Sequence, residues 1–368
     1  MIEYKPKWGR PFYDKLHTTD CIIMACNTRI VRGVVEGILQ AAKDTQSPII
    51  FELAKSESDL KGGYTGLTPE KYAKMVKETA NKVQYAHYVI HGDHIKIAKM
   101  EDIPEVKELI SAQIKAGYTS FAIDASFMYD PTGSNDREHL AKNIEATTEL
   151  THFIEDKFGH KKFGLEVEVG EIGKKDPETG LVKTTVNEAS TFIETLKEND
   201  VHPQFLAIAN GSVHGFQYDE HGNPLPQVGI DIELTKAIGA AIKPMGVKIA
   251  QHGITGTPLE IIASDFPREY LGKGNVGTNW MTIAWDVLKI FEPKLYYTIH
   301  GWTINNYHKE DVPINETFLK FSKLAIIKHY NEIYGVGKET THALTQTAYA
   351  SALFFLKAFN SYGTTQQL

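Results

Sequence analysis

Only two of the 368 residues are cysteine, Cys21 and Cys26, and they stand too close together on one expected strand to form a disulfide framework. That usage fits a reducing cytoplasm. No uninterrupted apolar run approaches the roughly 20 residues that a membrane-spanning helix needs. The segment Met1-Ile2-Glu3-Tyr4-Lys5 also lacks the apolar centre of a signal peptide. Cation excess is missing too: 39 Lys and Arg against 46 Asp and Glu give a net charge of -7. The chain therefore has no general electrostatic attraction to nucleic acid or to an anionic membrane. Any phosphate must be gripped locally, by backbone N–H groups and a few side chains. There is no low-complexity segment, no clear linker and no internal repeat beyond a strand-helix alternation.

That alternation is the main positive signal. With 42% hydrophobic and 23% charged residues the chain can bury a sizeable core. Apolar segments ending in polar residues alternate with amphipathic stretches, which is the pattern of repeated βα units. Expected strands are Cys21–Asn27, Pro48–Leu53, Tyr88–His94, Ser120–Asp124, Phe163–Gly170, Phe205–Ala209, Val247–Ala250 and, least obvious, about Gly274–Asn279. Helices are expected over about Ile30–Lys43 and Ile103–Ala116, and Thr68-Pro69-Glu70 reads as a capped helix start. Eight units predict an α/β fold of the (β/α)₈ TIM-barrel class, with a doubly wound open sheet as the alternative. The barrel would span 1–304. Residues 305–368 would form C-terminal helices, with Phe318, Phe321, Ala325 and Ile333 near one helical face and a last helix over about Thr341–Ala358. These helices would pack on the barrel or form a subunit interface, and a homo-oligomer is expected.

Three strands stop at a histidine: His94 in Gly92-Asp93-His94, His214 in Asn210-Gly211-Ser212-Val213-His214-Gly215, and His252 in Gln251-His252-Gly253. A divalent metal that activates a carbonyl wants neutral imidazoles and an open position, and three strand-end imidazoles on one barrel face would supply them. Glu168 is a fourth or alternative ligand. It alternates with Glu166 along its strand, so the two carboxylates share a face and need a cation nearby. His91 lies deeper on the face of Asp93 and reads as structural. Asp93 can shuttle a proton to or from a substrate hydroxyl, or else support a ligand histidine. Glu166 and Asp124 could orient ligands or serve structure. Gly211, Gly215, Gly253 and Gly256 permit close backbone approach to an anion, with Ser212, Thr255, Thr257 and Thr278 as hydroxyl donors. The polar stretch Glu171–Gly180 is long enough to act as a lid.

In this order the motifs resemble the zinc-dependent class II ketose-bisphosphate aldolases, over about residues 20–280. The matching pieces are Gly92-Asp93-His94, Leu165-Glu166-Val167-Glu168-Val169-Gly170, Asn210–Gly215 and His252-Gly253-Ile254-Thr255-Gly256, with Asn27 and Asn275 as strand-end asparagines. The resemblance implies Zn²⁺, or another divalent metal, on His94, His214 and His252. It also implies reversible cleavage of a ketose 1,6-bisphosphate to dihydroxyacetone phosphate and glyceraldehyde 3-phosphate. Asp93 would then handle the proton of the C4 hydroxyl, and Asp176, with Glu178 as second choice, would be the lid acid. Asn275 would orient the substrate, and Gly215, Gly253, Thr255 and Thr278 would surround a phosphate. There are departures, one of them in the lid, which carries Gly173-Lys174-Lys175 where the family usually has a glycine pair and acids. The family's Asn-Ile-Asp-Thr-Asp segment reads Asn275-Val276-Gly277-Thr278-Asn279, and no lysine follows His214-Gly215.

Gly62-Gly63-Tyr64-Thr65-Gly66-Leu67-Thr68-Pro69 and Ile123-Asp124-Ala125-Ser126 resemble segments of the non-catalytic, stabilising subunits of tagatose-bisphosphate aldolase. Such a subunit is therefore one alternative, although the three histidines argue against it. A metal-dependent aldolase or epimerase acting on another sugar is the second. Schiff-base chemistry on Lys248 is a third, and it would leave the histidines without a role.

Overall fold

The computed structural model describes residues 3–368 other than 172, 174, 177–179 and 214, and of 175, 176 and 180 it describes only the backbone. Eight parallel strands close into a barrel. They are β1 (Ile23–Asn27), β2 (Ile49–Ala54), β3 (Tyr88–Lys96), β4 (Ser120–Asp124), β5 (Gly164–Val169), β6 (Phe205–Ile208), β7 (Lys248–Gln251) and β8 (Leu271–Val276). Each pairs with its sequence neighbours, and β8 returns to β1 through Ala25 opposite Asn275. Closure follows from the pattern: strands buried along their whole length leave no edge that water could satisfy. The open-sheet alternative is thereby excluded. β8 lies three residues earlier than expected, because Gly272 and Gly274 masked an ordinary strand.

The helices act as ribs around the barrel. Thr68 caps the helix Pro69–Val83 by accepting from the Lys71 amide, as its Thr-Pro-Glu start predicts. The first rib, Val34–Thr45, starts later than expected, after Gly33 in the left-handed region. Its Gly37 is required by contact: a Cβ there would lie 2.2 Å from the Thr345 carbonyl. That carbonyl belongs to the last long helix, Lys338–Ala358, whose Ala348, Ala352 and Leu356 join the main apolar core. Arg32 ties the same region down, donating to the carbonyls of Tyr334 and Val336 and to Thr341 Oγ1. The segment holding Phe318, Phe321, Ala325 and Ile333 is broken into Ile314–Phe321, a 3₁₀ turn at Ser322–Leu324, Ala325–Lys328 and Tyr330–Tyr334. Among the described residues no helix is long and apolar enough to cross a membrane.

The inside of the barrel is layered. At the amino end the helix Gly9–Leu16 inserts Phe12, Tyr13 and Leu16 against Ile23, Ile50, Val89 and Phe205. Above this apolar floor a hydrogen-bonded column runs from the Tyr13 hydroxyl to Ser120 Oγ (3.0 Å) and on to His91 Nδ1 (2.7 Å). The column leads into a charged layer that opens at the carboxyl ends of the strands, where barrels of this class place their sites.

Candidate active site

Asp93 and His94 are consecutive in β3, and regular pleating would point them to opposite faces. The β3–β4 register breaks between Gly92 and Ile95, and His94 takes φ +40°. A left-handed histidine costs on the order of 1–2 kcal/mol, and here the irregularity turns both side chains into the mouth. His94 Nδ1 then lies 2.7 Å from Glu168 Oε1 and 3.4 Å from Asp124 Oδ2. The His94 and His252 rings are 4.6 Å apart, centre to centre. His94, Glu168 and His252 thus each offer a ligand atom within 4.8 Å of the others.

These residues fit a divalent ion. Glu168 Oε1 is buried and faces His94 Nδ1 at 2.7 Å, with a second carboxylate, that of Asp124, close behind. Burial and the neighbouring Asp124 push the Glu168 carboxyl up to about 8, and a divalent ion at this point would offset both. Of the other expected ligands, His214 lies outside the described residues. Asp176 falls in a short hairpin, Lys175–Asp176 against Gly180–Leu181, with its side chain outside what is described, and Glu178 lies outside the described residues.

Beneath the trio stands a residue the sequence reading missed. Lys273 of β8 is fully buried, with Nζ 2.6 Å from Glu166 Oε2, 2.9 Å from Glu52 Oε2 and 3.5 Å from Asp93 Oδ1. Burial disfavours the ammonium, but Glu166, Glu52 and Asp93 outweigh it and push its pKa well up. Glu52, His91 and Asp93 could geometrically form a second metal group, yet the Lys273 ammonium already occupies their midst. Its signal was present: Lys273 is two residues from Asn275 in one strand and shares its face.

Asp93 is clamped. Asn27 Nδ2 donates to its Oδ2 at 3.0 Å, and Asn275 Nδ2 reaches its Oδ1 at 3.4 Å while donating to Glu52 Oε1 at 2.8 Å. Burial would raise the Asp93 pKa, but Lys273, with His94 and His252, holds it well below the usual carboxylate range. For Glu166 burial is likewise outweighed, chiefly by Lys273, whereas burial and Asp93 keep the Glu52 carboxyl well up.

Asn27, Asp93, His94, Glu168, Gly215, His252, Gly253, Thr255, Asn275 and Thr278 all line one cavity of about 690 Å³, large enough for a phosphorylated hexose. The helix Thr278–Phe291 begins at this wall, next to Thr255, whose Oγ1 accepts from the Asn279 amide. Lys248, the Schiff-base candidate, is elsewhere: its Nζ donates to the Thr19 carbonyl at the amino end of the barrel. That placement removes it from the chemistry.

The family described as fructose-bisphosphate aldolase class-II matches residues 10–329. The chain belongs to the class II fructose-bisphosphate aldolase family. Members of this aldolase family are generally metal-dependent, and the trio provides a place for the ion. Solved structures of similar fold include the Fructose-bisphosphate Aldolase of Campylobacter jejuni (TM-score 0.62, 18% identity, covering 99% of this chain and 97% of that one). The YdjI aldolase of Escherichia coli K12 is comparable (0.61, 18%, 96% and 97%). So is a fructuronate-tagaturonate epimerase from Cohnella laeviribosi (0.64, 14%, 92% and 81%).

Proposed function

We propose that this chain catalyses the metal-dependent, reversible aldol cleavage of a ketose 1,6-bisphosphate, with fructose 1,6-bisphosphate as substrate, to dihydroxyacetone phosphate and glyceraldehyde 3-phosphate. The observation that carries the reading is the convergence of His94, Glu168 and His252 beside Asp93 in one cavity at the barrel mouth. His94, His252 and, in this proposal, His214 would hold a zinc ion, with Glu168 as a fourth or alternative ligand. When bound, the ion supplies Lewis-acid polarisation of the substrate carbonyl. Asp93 takes the proton of the C4 hydroxyl in cleavage and returns it in condensation. Its neighbours Asn27, Asn275 and Lys273 keep it ionised and aimed. Among the described residues the buried Asn275 Oδ1 has no hydrogen-bond partner, which leaves it available to a substrate hydroxyl. Asp176 is the proposed acid on the lid. Gly215, Gly253, Thr255 and Thr278 receive a phosphate.

The departure at Gly277 favours a second reading. The same metal site and Asp93 would then act on an unphosphorylated sugar acid, as the fold likeness to a fructuronate-tagaturonate epimerase illustrates. The deciding experiment measures turnover of fructose 1,6-bisphosphate, tagatose 1,6-bisphosphate and fructuronate before and after chelation, with zinc add-back. Cleavage of a bisphosphate that disappears on chelation and returns with zinc is expected. Metal-independent cleavage, or turnover of fructuronate alone, would sink the first reading. We further propose a homo-oligomer, supported by the exposed Ile290, Tyr297 and Phe354 side chains, to be checked by sedimentation equilibrium.

A further inference from the structure

The stretch Gly62-Gly63-Tyr64-Thr65-Gly66, so far without a task, wraps around Glu57 in the loop after β2. Gly63, at φ +52°, comes so close that a Cβ there would lie 2.5 Å from the Glu57 carbonyl carbon, and only glycine permits that approach. Thr65 Oγ1 donates to the Glu57 carbonyl at 2.7 Å, and the Tyr64 amide donates to the Ser56 carbonyl at 3.2 Å. Asp59 Oδ1 steadies the turn by accepting from the amides of Lys61 and Gly63.

Glu57 itself is buried in the cavity wall, and each of its oxygens accepts two hydrogen bonds. Oε1 accepts from Arg29 Nε at 2.6 Å and from the Tyr64 hydroxyl at 2.8 Å. Oε2 accepts from the Ala54 amide at 2.9 Å and from Asn27 Nδ2 at 3.3 Å. Burial would raise the Glu57 pKa, but Arg29 and these donors hold it below its usual value. Glu57 is thus a fixed anion whose charge Arg29 balances, and it makes no contact with the trio.

Asn27 connects this anion to the proposed reacting group. Its Nδ2 lies 3.0 Å from Asp93 Oδ2 as well as 3.3 Å from Glu57 Oε2. An amide side chain donates at one end and accepts at the other, and a half-turn about its last torsion exchanges the two. With two carboxylates beside one end, the NH₂ must face them, because the reversed amide would set Oδ1 against two anions. Oδ1 accordingly lies on the β8 side, 3.5 Å from where a Cβ on Gly277 would stand. In the proposed reaction Asp93 gains a proton and returns it, so its own hold on the NH₂ end weakens midway. Glu57 keeps its charge throughout.

We propose that Glu57, cradled by Gly63, Tyr64 and Arg29, is a positioning residue that locks the Asn27 amide towards Asp93 and so keeps Asp93 aimed at the substrate hydroxyl in both of its protonation states. The inference rests on the proposed aldol reading for the role of Asp93, but the lock itself can be read without turnover.

The test uses the full zinc-loaded chain with Glu57→Gln and Tyr64→Phe. Glutamine accepts at one end only, so it cannot serve Arg29 and Tyr64 together with Ala54 and Asn27. Tyr64→Phe removes one donor, leaves the ion pair and remains informative if Glu57→Gln folds poorly. Steady-state cleavage of fructose 1,6-bisphosphate is measured beside exchange of the carbon-bound hydrogen of dihydroxyacetone phosphate with solvent. That exchange draws on the metal and the lid acid but not on the C4 hydroxyl, so a general collapse of the site would lower both rates. Hydrogen exchange at Asn27 Nδ2 is followed by NMR on protein carrying nitrogen-15 asparagine, assigned with Asn27→Asp. Glu57→Gln is expected to lower kcat about 10- to 100-fold, with KM and carbon exchange nearly unchanged, and to speed exchange at Asn27 Nδ2. Tyr64→Phe is expected to move the same quantities less far. Normal kcat in Glu57→Gln, equal losses of cleavage and carbon exchange, or unaltered exchange at Asn27 would each overturn the lock. If wild type cleaves no bisphosphate, the aldol reading falls and the Asn27 measurement alone decides: faster exchange in Glu57→Gln upholds the lock and unaltered exchange overturns it.

Discussion

Lys248 and Lys273 stand on neighbouring strands of one barrel, both buried, and their surroundings differ completely. Lys273 lies under the mouth among Glu166, Glu52 and Asp93, and its charge is reinforced. Lys248 lies at the floor, where Nζ donates to the Thr19 carbonyl and burial lowers its pKa. A strand-borne lysine in a barrel therefore says little until its depth is known. At the mouth it balances carboxylates that hold the reacting groups. At the floor it closes the end of the barrel beside an apolar plug.

The largest effects are expected at the mouth. His252→Ala should release the metal and abolish turnover, whereas Asp93→Ala should retain the metal and lose about 10²- to 10⁴-fold in kcat. Metal analysis beside kinetics checks both. Full metal content with normal turnover in either variant would remove the distinction between mouth and floor.

The two lysines themselves give the next test. Lys273→Met leaves Glu166 and Asp93 as buried, uncompensated charges and should cost about 3–5 kcal/mol. Lys248→Met loses one hydrogen bond to a carbonyl and should cost about 1 kcal/mol with turnover preserved. Urea unfolding of both variants measures this, and equal costs would dissolve the contrast. Borohydride with substrate should label neither lysine.

The last effect also belongs to the floor and depends on pH. Burial, with Lys248 nearby, depresses the His17 pKa from 6.5 to about 4. The unfolded chain takes up this proton first, so the stabilisation is complete above about pH 6.5 and is lost as pH falls towards 4. The full span is about 3 kcal/mol. Comparing wild type with His17→Gln in urea melts from pH 7 to 4 isolates it, since only wild type should show this component. A steeper loss in the variant would contradict the assignment.

How much of the site was legible depended on how far apart its parts lie in the chain. Glu166 and Glu168 share a face because strands have a period of two, and that period is written in the sequence. Lys273 was readable by the same rule from Asn275 but was hidden by flanking glycines. His94 broke the rule: alternation would have turned it away from Asp93, and only the irregular pairing of β3 with β4 brings it in.

The order of apolar strands ending in Asp, Glu, Asn and His was enough by itself to determine the eight βα units, the family and the residue types at the mouth. A period of two or of 3.6 and the character of a strand end are local properties. Tertiary structure alone decided which charges neutralise which. Coulomb energies and desolvation depend on distance and burial, and closing the barrel places Lys273 among three carboxylates drawn from three other strands.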